Sequence, residues 1–143
     1  MTVRVLAFDE LDAHTAYDVW RLRQQVFVVE QKSPYPDLDG RDRDPGTRHL
    51  LSEADGALVA YARVLDDGEW ARIGRVLVAP EARGRGLADE LVRTALEVIG
   101  DREVRLDAQT GLRDWYASYG FVVTGPAFDE DGVMHVPMRR PRA

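Results

Sequence analysis

The residues best suited to chemistry in this 143-residue chain begin with a short loop rich in glycine and arginine. Its sequence is Arg83-Gly84-Arg85-Gly86, between an apolar segment that ends at Val78 and a helical pattern that begins at Leu87. Glycine lets the backbone approach a ligand closely, and the first N–H groups of a helix attract anions. Two guanidiniums add to that attraction. The loop therefore predicts a phosphate or pyrophosphate site, with an ordinary strand-to-helix turn as the alternative from these residues alone.

A second polar segment lies upstream, where residues 33–49 interrupt the apolar pattern. Three prolines, two glycines and several aspartates predict a loop of about 17 residues. Loops of that length are uncommon in small domains and are often functional or mobile. Their carboxylates suggest a surface that attracts a cationic amine. Taken singly, Asp37 and Asp39 are also typical turn residues whose side chains bond to nearby backbone.

Apolar periodicity predicts the elements that position these two segments. One predicted helix ends near Glu30, and two more span residues 87–99 and 112–119. The predicted strands span residues 2–8, 49–53, 58–65, 69–78, 104–108, 121–124 and 133–138.

The order of these elements predicts the fold class. Short turns make the second to fourth strands an antiparallel meander, and a right-handed helical crossover makes the fourth and fifth strands parallel. We expect an α+β fold in a single domain over residues 1–143. Its sheet should be mixed, mostly antiparallel, with six to seven strands flanked by about four helices.

Composition excludes several classes of protein. A net charge of −6 argues against a nucleic-acid-binding domain, and the absence of cysteine excludes disulfides and thiol catalysis. No apolar run approaches the roughly 18 residues of a membrane helix, and the first residues do not resemble a signal peptide. These features predict a cytoplasmic protein without a membrane partner.

Three sets of motifs resemble those of the GNAT N-acetyltransferases. Arg83-x-x-Gly86-x-Ala88 is similar to their acyl-CoA motif, (Q/R)-x-x-G-x-(G/A). Trp115-Tyr116 followed by Gly120-Phe121 is similar to a segment after the family's fifth strand, with Gln109 where many members have Asn. The third set, FVVEQ at 27–31, PYPDLDG at 34–40 and EDGVMH at 130–135, resembles the ElaA-like branch of the family.

The resemblance implies an acetyl-CoA donor site between splayed fourth and fifth strands. The backbone of Val76 and Val78 would bond to the pantetheine amides, and the N–H of Val76 would polarise the thioester carbonyl. Tyr116 would protonate the leaving thiolate, with packing alone as its alternative role. The predicted donor residues are Val76, Leu77, Val78, Arg83, Gly84, Arg85, Gly86, Leu87, Ala88, Gln109 and Tyr116.

The resemblance also implies an amine acceptor, a small molecule or a peptide, that attacks the thioester directly. A neutral amine is needed, so a nearby group or water chain must take its proton. Glu30 and His49 are the predicted bases, and Asp37, Asp39 and His135 are predicted to bind the acceptor. Each of these five residues also has a purely structural alternative: Glu30 as a cap or ion-pair partner, the aspartates as turn residues, and the histidines as half-buried strand residues. No ligand spacing predicts a metal site.

The sequence thus predicts an N-acetyltransferase that moves the acetyl group of acetyl-CoA to a primary amine in a ternary complex. Two enzyme alternatives keep the fold and change the donor to a longer acyl-CoA or the acceptor to a protein amine. A third alternative is a non-catalytic sensor of acyl-CoA.

Overall fold

The helices and strands follow an order close to the predicted one. The computed structural model describes residues 3–143. The strands are β1 (Val3–Leu6), β2 (Arg48–Ala54), β3 (Ala57–Asp66), β4 (Trp70–Val78), β5 (Glu103–Gln109), β6 (Val122–Val123), β7 (Phe128–Glu130) and β8 (Val133–Arg140). The α-helices are α1 (Ala13–Arg23), α2 (Leu87–Ile99) and α3 (Arg113–Ala117), and a π-helical segment (Gln24–Glu30) extends α1. The 3₁₀ turns are Phe8–Glu10, Arg41–Arg43, Pro80–Ala82 and Thr110–Leu112.

Within the described residues, the eight strands form one sheet in the order β1-β2-β3-β4-β5-β8-β6, and β7 also pairs with β8. The pair β4–β5 is parallel, and the other pairs are antiparallel. This confirms the predicted α+β class. The sheet has one strand more than the predicted six to seven, because Phe128–Glu130 pairs with β8 instead of forming a loop.

The predicted separation of β4 and β5 is confirmed. The two strands pair only over Trp70–Arg72 and 103–105, so among residues 3–143 the rest of β4 has no strand partner on that side. A β-bulge lies just beyond the paired part, because Tyr61 faces Leu77 while Arg63 faces Gly74. The extra residue makes Arg75 adopt a positive φ of 53°. A bulge bends its strand and increases the local twist, which accounts for the divergence of β4 from β5.

Helices cover the sheet on both faces. One face packs against α2, whose fully buried residues are Leu91, Val92 and Ala95, and against Tyr116 of α3. The other face packs against Val19 and Leu22 of α1, which contact Leu77 of β4. Burial of these apolar side chains supplies most of the driving force for folding.

Helix α2 is the element whose observed first and last residues agree best with the prediction. Its bounds match residues 87–99 because glycines with positive φ, Gly86 and Gly100, flank it. The first helix changes to π geometry, since the N–H of Ser33 donates to the carbonyl of Val28 at 3.1 Å, five residues back. The predicted first strand began at Thr2, which lies outside the described residues.

Candidate active site

A cleft of about 440 Å³ opens where β4 leaves β5. Its walls come from both strands, α3, the 33–47 loop and the β7–β8 hairpin. It is lined by five of the residues predicted for the site: Asp39, Val76, Gln109, Tyr116 and His135. The predicted Glu30, Asp37, His49 and the 83–88 loop lie outside that lining.

Tyr116 lines the cleft from α3 and is 6% exposed. Its ring packs edge-on against Trp115 and Phe121, with centroids 4.8 and 6.0 Å away. Burial raises the pKa of the Tyr116 hydroxyl to about 12. The side chain is therefore protonated at neutral pH and is able to donate a proton.

The backbone of β4 faces the gap at alternate residues. The N–H of Ala79 donates to Val59 of β3 at 2.8 Å, so the neighbouring Val78 is turned the other way. Val78 indeed accepts a hydrogen bond on its carbonyl from Arg83 Nε, at 3.1 Å. Val76 has the same orientation by the two-residue period of a strand. Leu77, by contrast, pairs with Tyr61 and buries its side chain against α1.

The loop before α2 presents glycines in the left-handed conformation. Gly84 and Gly86 have φ of 82° and 77°, and a Cβ at either position would meet nothing within 4 Å. Backbone conformation, not crowding, therefore requires glycine here. Arg85 is exposed and donates to the Glu81 carbonyl at 3.4 Å. Leu87 is buried in the core, whereas Ala88 is half-buried in the first turn of α2.

Arg83 contacts a carboxylate that was expected to act as a base. Its guanidinium donates to both oxygens of Glu30, at 2.7 and 2.8 Å, across the exposed surface. Hydrogen bonds from Arg83 hold the pKa of Glu30 below its usual value. A carboxylate held in this way is a poor proton acceptor, and Glu30 is not part of the cleft lining. The pair instead connects the π-helical segment to the loop before α2.

The acidic 33–47 loop is bound to the fold by buried arginines. Arg23 of α1 is fully buried and donates to Asp37 at 2.8 Å and to Asp42 at 2.6 Å. Buried ion pairs of this kind are costly to break because one charge is then left unpaired. Asp37 is therefore held beneath the surface of the cleft. Its carboxylate is already paired at the position where the sequence predicts a contact with the acceptor.

Two further arginines complete this network from β3 and β4. Arg63 donates to both oxygens of Asp39, at 2.9 and 2.8 Å, and to Asp42 at 3.1 Å. Arg75, in the bulge, forms an ion pair with Asp37 at 2.9 Å and with Asp39 at 3.4 Å. Burial would raise the pKa of Asp39, but the contacts with Arg63, the backbone N–H of Arg41 and Arg75 lower it well below its usual value. Three guanidiniums thus compensate the carboxylates that the sequence suggested would attract an amine.

His49 lies inside the protein instead of in the cleft. It is fully buried, with Nε2 3.0 Å from the Asp42 carbonyl and Nδ1 2.5 Å from the Tyr61 hydroxyl. Burial lowers the pKa of the imidazole and favours its neutral form. Both ring nitrogens are occupied, so the geometry supports a structural role and not that of the expected base.

His135 is the histidine that faces the cleft. It lies on β8 opposite Gln109 of β5, and both residues line the cavity. Its Nδ1 is 2.8 Å from the Val133 carbonyl and 3.7 Å from Glu130. The hairpin that carries it is joined to the opposite wall, because the Ser33 hydroxyl donates to the Asp131 carbonyl.

The sequence did not predict the roles of Arg23, Arg63, Arg75 or Tyr61. The three arginines bind the 33–47 loop from other elements, and Tyr61 of β3 contacts His49 of β2, so no local spacing indicates these contacts. No group of side chains suited to a metal ion occurs within residues 3–143. Over the same residues, no helix has the length and apolarity to cross a membrane.

Comparison with known proteins identifies the family. Residues 11–141 match the model of the acetyltransferase (GNAT) domain. A UPF0039 protein of Mycobacterium bovis is 46% identical over 96% of this chain and 91% of its own length. The crystal structure of Escherichia coli ElaA has a TM-score of 0.91 and 39% identity, covering 97% of this chain and 98% of that one. An acyl-CoA N-acyltransferase from Pseudomonas aeruginosa has a TM-score of 0.90 and 37% identity, covering 98% and 99%. The chain therefore belongs to the GNAT acetyltransferase family, in the branch that contains ElaA.

Proposed function

We propose that this protein transfers the acetyl group of acetyl-CoA to the nitrogen of a primary amine, within a ternary complex. The observation that carries the proposal is the separation of β4 from β5 beside Tyr116. It leaves part of the β4 backbone without a neighbouring strand from the described residues, at the edge of the cavity lined by the protonated hydroxyl of Tyr116. The similar protein from Pseudomonas aeruginosa, described as an acyl-CoA N-acyltransferase, supports an acyl-CoA donor.

The donor side fits an extended, amide-containing thioester with a phosphate group at its far end. Val76 and Val78 offer backbone groups to such a chain as a neighbouring strand would. The N–H groups at the start of α2 and the exposed Arg85 suit the pyrophosphate. Arg83 would act on this loop through its pair with Glu30, and Gln109 would contact the donor from β5.

The chemistry needs no covalent enzyme intermediate. The amine nitrogen forms a bond to the thioester carbon as the carbon–sulfur bond breaks. The N–H of Val76 would stabilise the negative charge that develops on the carbonyl oxygen. Tyr116, which is protonated at neutral pH, would give its proton to the departing sulfur. Asp39 and His135 also line the cleft, and they would contact the acceptor.

Two measurements test this proposal. We expect acetyl-CoA to raise the melting temperature of the protein. The shifts measured with dephospho-CoA and with longer acyl-CoAs show how much the nucleotide and the acyl chain contribute to binding. Release of free thiol over a library of small amines, peptides and proteins then tests turnover. Stabilisation without thiol release would favour the sensor alternative. No stabilisation by any CoA thioester would overturn the proposal.

A further inference from the structure

The orientation of His135 determines which of its nitrogens is available to a ligand. Nδ1 lies 2.8 Å from the carbonyl oxygen of Val133, which can only accept a hydrogen bond. In the neutral ring, Nδ1 therefore carries the hydrogen and Nε2 the lone pair. Within residues 3–143, Nε2 has no hydrogen-bond partner.

The ring is also held firmly at the cleft. His135 lies within β8, between β5 and β7, and stacks on Phe128 with centroids 6.0 Å apart and planes 26° apart. Its side chain is 15% exposed. A site carried by strands positions its groups more accurately than one carried by a mobile loop.

A carboxylate lies beside His135 at the edge of the cleft. Glu130 of β7 is 3.7 Å from Nδ1, with Asp131 in the following turn. The other charged residues lining the cleft are Asp39, Arg41, Arg63, Arg72, Arg75 and Asp107. Each of these arginines is paired with an aspartate. The carboxylate of Glu130 is therefore well placed to stabilise an imidazolium ion.

The other candidate bases are occupied. Glu30 is held by Arg83 and His49 is enclosed in the core. Asp37 is paired with Arg23 and Arg75, and Asp39 is bound by Arg63.

We propose that His135 accepts, through Nε2, the proton that the attacking amine loses. This inference rests on the proposed function. As the neutral amine forms the carbon–nitrogen bond, one proton passes from its nitrogen to Nε2. The carbon–sulfur bond breaks, and the thiolate takes one proton from Tyr116. Net transfer of one proton from the imidazolium to the phenolate through solvent restores both residues, so the products are an amide and a free thiol.

Kinetics with two kinds of nucleophile test this role. The assay measures thiol release from acetyl-CoA with primary amines and with hydroxylamine, whose less basic nitrogen gives up its proton to water more readily once it has bonded to the carbonyl carbon. We expect H135Q to lower kcat/KM for primary amines by about 100-fold or more and to remove one ionisation from the pH profile. The loss with hydroxylamine should be much smaller. H14Q, which changes an exposed histidine of α1, should match the wild type.

The tautomer provides a readout that does not depend on turnover. In ¹⁵N-histidine NMR spectra recorded at a pH where the imidazole is neutral, His135 should carry its hydrogen on Nδ1. His49 should show the opposite tautomer, because its Nε2 faces the Asp42 carbonyl. Hydrogen on Nε2 of His135 would overturn the inference.

The outcomes separate the two proposals. Unchanged rates and pH profile in H135Q, with an active wild type, overturn the role of His135 and leave the proposed function intact. An inactive wild type with no affinity for acetyl-CoA overturns the proposed function and the inference with it.

Discussion

Glu30 and Arg83 form a two-point ion pair of 2.7 and 2.8 Å that joins the end of the π-helical segment to the loop before α2. Both side chains are more than 40% exposed, which limits the strength of the pair in water. Its importance therefore lies in positioning the loop that we propose binds pyrophosphate.

A double-mutant cycle should detect this coupling. We expect Glu30→Gln and Arg83→Gln to interact by about 0.2–1 kcal/mol in the free energy of unfolding, and the coupling should weaken in 1 M salt. Urea denaturation at two salt concentrations measures it. The single variants should weaken acetyl-CoA binding to a similar extent, and the double variant should add little. Purely additive effects on binding would contradict a shared role.

Asp42 forms ion pairs with two buried arginines, so removing its carboxylate should strongly destabilise the fold. We expect Asp42→Ala to lower the free energy of unfolding by about 3–5 kcal/mol, because Arg23 and Arg63 both lose a partner. Glu53→Ala breaks the exposed pair with Arg4 and should cost about 1 kcal/mol or less. Chemical denaturation compares the two. Similar losses would contradict the importance of the buried network.

Asp39 should make stability depend on pH. Because its pKa is lowered in the folded protein, its contribution is present above the unfolded value of about 4 and disappears as the pH falls through the folded value. Asp39→Asn should therefore be less stable than the wild type at pH 7, and the difference should shrink below about pH 4. Urea melts across this range measure the effect, with Asp55→Asn as a control for loss of an exposed charge. A difference independent of pH would contradict the prediction.

Tyr116→Phe should separate chemistry from packing. We expect kcat to fall about 100-fold while the affinity for acetyl-CoA is retained, because only the hydroxyl is removed. Tyr119→Phe is the matched control, since that hydroxyl bonds to Asp89 on α2 and lies outside the lining of the cleft. Steady-state kinetics and thermal shift measure the two quantities. An unchanged kcat in Tyr116→Phe would exclude the acid role.

Gly86→Ala should affect both the fold and the donor. A side chain at this positive φ costs about 1 kcal/mol of stability, and the loop geometry changes with it. Gly56→Ala imposes the same strain in the β2–β3 turn, where φ is 79° and no atom is near. Both variants should lose similar stability, and Gly86→Ala alone should weaken acetyl-CoA binding. Equal binding by the two variants would contradict a role for the loop.

The sequence predicted best where local signals decide the structure. Helix α2 has flanking glycines, and the short turns specify the antiparallel strands. The network around the 33–47 loop could not be predicted in the same way. Arg23 lies off the apolar stripe of α1 and reads as a surface residue, yet carboxylates 14 and 19 residues away hold it fully buried. Likewise, Phe128–Glu130 carries turn-forming residues, and only β8 makes it a strand.

The bulge at Arg75 shifts the alternation of side chains between the two faces of β4 by one residue. Before the bulge, the odd-numbered Ile73 points to the core beneath α2. After the bulge, the odd-numbered Leu77 points to α1 instead. The even-numbered Val76 and Val78 now face the α2 side. Removing one residue here would exchange the two faces for every later position of the strand. Leu77 would then leave its place against α1, and the backbone groups facing the gap would turn towards β3. The number of residues in this strand is therefore constrained, because a change of even one residue would exchange its faces. Homologous chains should differ in residue type at the bulge but should have no insertion or deletion there.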